Sequence, residues 1–231
     1  MFQVNQLTGF GGGGLAPPRA EFQATTFDGT GKTTYTFAGQ AIGPPSDTRY
    51  VIAAVTLTSS FSRTISSVTI GGVAATVVPN GQVVANTYFY RIAFYIAAVP
   101  TGTTADIVVT ASGACNAGGL AGVWAVYDIS SATAVDSDGA TVFGTNTFSP
   151  PSVNTSAEGL LFAAGFHLRN DGAAAVSWTN ATERSDLSSS FSSVNVGHSG
   201  ADAPTSGAAI TVSASLTGSI DGGSMVVATF R

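Results

Sequence analysis

Arg91-Ile-Ala-Phe-Tyr-Ile-Ala-Ala-Val-Pro-Thr-Gly-Thr-Thr-Ala-Asp-Ile-Val-Val-Thr110 holds two apolar runs joined by Pro100-Thr101-Gly102. Ile, Val, Phe, Tyr and Thr suit a pleated, half-buried surface. Pro100 presets φ for a turn, and Gly102 supplies a permissive position after it. The stretch predicts a β-hairpin or β-arch at the middle of a sheet. The rest of the chain varies this unit: further strands are expected at 33–37, 50–58, 67–78, 88–99, 105–112, 120–129, 141–148, 159–168, 175–182, 191–199, 208–216 and 224–230. Gly, Asn, Asp, Pro and Ser punctuate them, and no helical period appears. Many short strands with turn signals between them predict an all-β antiparallel sandwich of jelly-roll kind.

The strands recur. Phe37, Ile42, Pro44, Pro45 and Ser46 return at an offset of 106 as Phe143, Phe148, Pro150, Pro151 and Ser152. Residues 50–54 match 160–164 at offset 110, and Val68-Thr69-Ile70 matches Val176-Ser177-Trp178 at 108. Ile107, Val109, Ala111 and Ser112 match Ile210, Val212, Ala214 and Ser215 at 103, as do Val123, Ala125 and Tyr127 with Val226, Ala228 and Phe230. The order is kept, which marks pseudo-repeat halves at about 33–130 and 140–231. Either each half is a small sandwich, or both share one two-sheet jelly roll. The second is preferred, because the join at 131–147 lacks the long polar run of a linker. The copies differ most where Phe94-Tyr95-Ile96 faces Asn195-Val196-Gly197, a polar run ending in His198. If one face associates and another meets solvent, that difference is where to look.

Residues 1–22 read as an arm and hinge ahead of a body at 23–231. Phe2, Val4, Leu7 and Phe10 are apolar; Gly11–Gly14 and Pro17-Pro18 follow as a spacer. Burying those four side chains gains about 6–10 kcal/mol gross, while ordering ten residues costs about 10–20 kcal/mol. The arm therefore needs backbone pairing with a partner as well.

Charged residues make up 9% of the 231, and the net charge is −5. A surface so poor in charge is weakly defended against association, which favours an oligomer or lattice. Lys32 is the sole lysine and the arginines are scattered, so no phosphate-neutralising cluster exists and nucleic acid is not an expected partner. Met1–Phe10 lacks the basic and apolar regions of a secretory signal. No run reaches the roughly 18 apolar residues of a membrane helix, so no membrane partner is expected. Cys115 is the only cysteine, which excludes an internal disulfide and a cysteine metal site.

Motifs with chemistry are sparse. Gly29-Thr30-Gly31-Lys32-Thr33 resembles the end of a phosphate loop, but Thr26 stands where its first glycine belongs and a strand follows; a turn at Asp28-Gly29 accounts for it. Asp136-Ser137-Asp138-Gly139 resembles part of a calcium loop without its distal ligands and reads as a turn between the halves. His167 reads as an edge residue, and neither it nor His198 has an acid at metal-motif spacing. Ser188–Ser190 lacks a nucleophile-elbow context. Glu21, Glu158 and Glu183 are the only glutamates, a poor supply for a paired-carboxylate hydrolase. No catalytic, cofactor or metal residue is assigned. Phe89, Tyr90, Phe94, Tyr95, Trp124 and Tyr127 read as strand aromatics rather than a sugar platform. Val123–Tyr127 is apolar on both faces, as in a strand buried on both sides or at an interface.

The arm with Gly9-Phe10-Gly11-Gly12-Gly13-Gly14, the Ser/Thr/Ala/Gly-rich body, Ser67-Val-Thr-Ile-Gly-Gly-Val-Ala-Ala-Thr76 and Val99-Pro-Thr-Gly-Thr-Thr-Ala-Asp-Ile-Val-Val109 together resemble virion structural proteins of tailed bacteriophages and related particles. The resemblance is one of texture over most of the chain and transfers no functional residue. It implies a non-enzymatic capsid decoration or head spike/fibre protein, homo-oligomeric and favouring a trimer. The arm would anchor it on a major capsid or other virion protein, with assembly in the host cytoplasm. The alternatives are a tail component, or a carbohydrate- or receptor-binding module whose partner is a host surface glycan.

Overall fold

The computed structural model describes residues 16–79, 83–85, 90–150, 152–169, 175–191, 194–218 and 220–231. Its strands are β1 (Arg19–Asp28), β2 (Lys32–Ala41), β3 (Tyr50–Thr58), β4 (Ile65–Ile70), β5 (Val73–Ala74), β6 (Thr76–Val77), β7 (Val83–Ala85), β8 (Tyr90–Ala98), β9 (Thr104–Cys115) and β10 (Ala117–Tyr127) in the first half. The second half has β11 (Asp136–Val142), β12 (Thr147–Phe148), β13 (Ala157–Arg169), β14 (Val176–Thr179), β15 (Thr182–Phe191), β16 (Val194–Ser206), β17 (Ser213–Leu216) and β18 (Gly222–Phe230). All pairings are antiparallel, so the expected all-β class is what forms.

Four sheets result. Sheet A runs β1-β10-β3-β8-β6, with β7 also on β8; sheet B runs β2-β9-β4-β5; sheet C runs β11-β18-β13-β16-β15; sheet D runs β12-β17-β14. No ladder among the described residues crosses from one half to the other. Each half therefore builds its own sandwich, the first of the two arrangements that the repeat allowed, in place of a single shared pair of sheets. The duplication is plain in the strand order. β1-β10-β3-β8 becomes β11-β18-β13-β16, and β2-β9-β4 becomes β12-β17-β14.

Three cores stack the sheets in the order B, A, C, D. Val51, Ala53 and Val55 meet Ile107 and Val109 between B and A. Ile52, Phe94 and Trp124 meet Phe162, Phe166 and Phe230 between A and C. Leu161, Ala163 and Val227 meet Val176 and Val212 between C and D. Sheets A and C are thus covered on both faces, which is why β3, β10, β13 and β18 are apolar at nearly every position rather than alternating. The two-sided burial expected for Val123–Tyr127 is observed.

Pro100–Thr103 is an arch, not a hairpin. β8 pairs within sheet A, β9 within sheet B, and the chain crosses the core edge between them. Gly102 sits at φ 74°, the left-handed region that glycine tolerates. Arg49, buried at 1% exposure, pins the arch from below. Its guanidinium donates to the carbonyls of Val99 (2.7 Å), Thr101 (2.6 Å) and Gly43 (2.6 Å).

Other expectations need adjustment. β1 starts at Arg19 and pairs with Tyr127 onward, so residues 19–22 belong to the body rather than the arm. The expected strand at 67–78 breaks at Gly71 and Gly72, both at positive φ, into β4, β5 and β6. The repeat at offset 103 holds for Val109 and Val212, which both face a sandwich interior. For the last strand it is one residue out. Val123 faces the A–B core, whereas Val226 faces the A–C contact. A one-residue slip reverses the face of a strand. Phe37 is buried but Phe143 is 43% exposed, so those two are not equivalent either.

Candidate functional site

Two buried ionisable side chains, His198 and Asp202, lie where sheets A and C meet. Trp124, 0% exposed, stands at the centre with Phe22, Phe94 and Phe162 edge-on at centroid distances of 5.5, 6.1 and 5.6 Å. Edge-to-face pairs add about 0.5–1.5 kcal/mol each beyond burial. Gly122 and Gly200 make room for the indole: a Cβ on Gly122 would fall inside the ring's van der Waals envelope, and one on Gly200 would lie 3.1 Å from it. The indole Nε1 donates to Asp202 Oδ2 at 2.9 Å, and Arg184 holds the same carboxylate through Nε (3.0 Å) and Nη2 (2.7 Å). That hydrogen bonding raises the Arg184 pKa further. One half contributes the indole and the other the ion pair.

His198 lies in the same contact, 0% exposed. Its Nδ1 is 3.2 Å from Thr56 Oγ1 of the other half, and its ring packs on Phe27 and Phe166 at 5.2 and 5.0 Å. Its Nε2 meets no protein partner. Burial first, and His167 second, push its pKa down to about 3, so the ring is neutral at ordinary pH. His198 pairs with Phe166, and Ile92 pairs with Thr56 at the matching place in the first half. The polar run ending in His198, where the two halves were expected to differ, is buried against the first half at His198. His198 meets Thr56, and Asp202 on the same strand meets Trp124 and Arg184.

His167, read as an edge residue, is 3% exposed on β13, an interior strand of sheet C. Asp136–Gly139 forms the start of β11 rather than a turn. Asp136 accepts from the backbone N and Nδ2 of Asn154 at 2.8 and 2.9 Å. Among the described residues, no group of His, Cys, Asp and Glu could hold a metal ion. Lys32 opens a strand and donates to Asp28 at 2.6 Å across the turn, as the turn reading of Gly29–Lys32 required. Tyr90, Phe94, Tyr95, Trp124 and Tyr127 are all core residues; Phe89 lies outside the described residues, as do Phe2, Val4, Leu7 and Phe10 of the arm.

Sequence reasoning missed Arg184, Asp202 and Arg49. The signal for the first two was the run Gly197-His-Ser-Gly-Ala-Asp202, too polar and too rich in glycine for a strand that faces only apolar core. Chemically the contact is a lock: Trp124, Asp202 and His198 are buried in it, and the half-exposed Arg184 closes the ion pair at its rim. A shallow concavity of about 310 Å³ opens at the far end of sheet A beside Pro17, Pro18, Asp128, Glu158 and Arg231. Comparison with protein-family models, with curated proteins and with solved structures finds no match to this chain.

Proposed function

We propose that the chain is a non-enzymatic structural component of a phage virion, a capsid decoration or head spike/fibre protein that assembles with copies of itself and is anchored by residues 1–18. The observation that carries this reading is the duplicated four-layer body. Its inner sheets are apolar on both faces, and its buried charges are committed to internal pairing. Such a body suits a rigid, charge-poor building block. Pro17 and Pro18 lead directly into β1, an edge strand of sheet A, which suits an anchor attached there. A glycan platform finds no support in the aromatic residues named for it, since those described are buried in cores.

The test is deletion of residues 2–18 in the genome that carries the chain. Particles are then purified and analysed by electron microscopy and mass spectrometry. The reading expects the wild-type chain in particles and the truncated chain absent from them. Wild-type protein missing from every particle fraction would end the virion reading, and undiminished incorporation of the truncated chain would end the arm's role.

A further inference from the structure

The chain carries two complementary features at opposite ends of the first sandwich. After β3, the loop Ser59-Ser60-Phe61-Ser62-Arg63 presents Phe61 at 64% exposure, the most exposed of the large hydrophobic residues among those described. The Arg63 guanidinium stands 5.4 Å from the centroid of its ring. The loop is held in shape: Ser59 Oγ accepts from the Phe61 amide at 3.1 Å, and Asn116 Oδ1 accepts from the Ser60 amide at 2.9 Å. An aromatic ring and an arginine on a preorganised loop are the residue types that dominate binding energy at protein contacts.

At the other end is the concavity beside Pro17 and Pro18. Two proline rings, Pro17 and Pro18, contribute apolar surface to its lining. Asp128 and Glu158, against the single guanidinium of Arg231, leave its lining net acidic. Val135, 45% exposed, stands at the same end, its amide bonded to the Thr229 carbonyl at 2.7 Å. The two ends are set by one strand pair. Tyr50 of β3 lies opposite Val126 of β10, and Thr58 opposite Ala117. The tip follows Thr58 and the acidic end follows Tyr127, so the nine residues of β3 separate them by about 30 Å.

We propose that these features meet between copies of this chain: Phe61 of one copy seats against Pro17 and Pro18 of the next, and Arg63 faces Asp128 and Glu158. A second copy is the favoured occupant because it supplies an aromatic ring and a cation to a lining in which acids outnumber the one arginine. An acidic chain also approaches its like most cheaply where a cationic tip meets an acidic hollow. The two surfaces differ, so the contact is head-to-tail and either closes into a ring or continues as a filament. It does not rest on the virion reading and is measured on purified protein, apart from any particle.

Sedimentation velocity over a concentration series tests it on the full chain. Wild-type protein is expected to exceed monomer mass in a concentration-dependent way. Phe61→Ser, at a surface position that leaves the cores intact, and Arg63→Glu should each weaken association at least ~10-fold. The paired reversal Arg63→Glu with Glu158→Arg should recover most of it. Wild-type protein that stays monomeric up to ~1 mM overturns the proposal. So does association indifferent to both tip variants, including association abolished only by removing residues 2–15, which would assign the contact to the arm. Failure of the paired reversal to recover association overturns the assignment of the concavity.

Discussion

Replacing His198 with isoleucine isolates an acid sensitivity that the structure places at one side chain. Ile92 holds the matching position in the first half, so the replacement is one that this architecture already accommodates. In the folded chain the His198 pKa is depressed to about 3 by burial and by His167; in the unfolded chain it returns to about 6.5. Below pH 6.5 the unfolded state binds a proton that the folded state refuses. Stability is therefore fully present above about pH 6.5 and falls as the pH drops toward 3, by about 1.4 kcal/mol per unit. Between pH 7 and 4.5 His198 alone should cost about 2–3 kcal/mol. The groups facing it do not offset this: Thr56, Phe27 and Phe166 carry no charge, and His167 opposes a proton on His198 rather than favouring it. Urea unfolding of wild type and His198→Ile, followed by tryptophan fluorescence at steps from pH 7 to 4.5, measures the difference, and all other titrating groups are common to both. The gap between the two curves should shift by about 2–3 kcal/mol in favour of the variant as the solution is acidified. A gap that stays constant within about 0.5 kcal/mol would show that His198 is hydrated or paired in the folded state, and the reasoning would fail.

Asp202→Ala leaves the Trp124 Nε1–H and the Arg184 guanidinium without their shared acceptor. Because Arg184 is partly solvated, the expected loss is about 2–4 kcal/mol in the same urea assay, with weakened burial of Trp124 visible as a red-shifted emission maximum. Gly122→Ala drives a methyl into the space that the Trp124 ring already fills. A drop of about 1–3 kcal/mol is expected, and unchanged stability would mean that the indole has another place to go.

Much of the architecture was legible because β-strand chemistry is local. Ile92–Ile96 and Ile107–Val109 read as strands from side-chain shape alone, and Pro100 and Gly102 read as a crossing between them. The repeat was legible from Pro44-Pro45 and Pro150-Pro151 and from residues 50–54 against 160–164. The second of these blocks keeps its faces, with Val51 and Leu161 both turned into a sandwich interior. β1 and β15 were missed because edge strands mix polar and apolar residues and so lose the alternation that marks a half-buried strand. The tip at Phe61 was not legible either, since a lone aromatic residue among serines gives no sign of its exposure until the fold closes.

Side-chain chemistry read along the chain was enough for the all-β class, the duplicated order of strands, the arch at Pro100 and the absence of charge from most strand positions. Long-range packing was needed to establish that each half closes its own sandwich, and that sheets A and C then bury their second faces against each other. Periodicity reports whether a face is apolar, not which sheet covers it. The same limit explains β16. Gly-His-Ser-Gly-Ala-Asp looks solvent-facing until Thr56, Trp124 and Arg184 are brought against it from other strands, and a buried polar group is stable only with such partners.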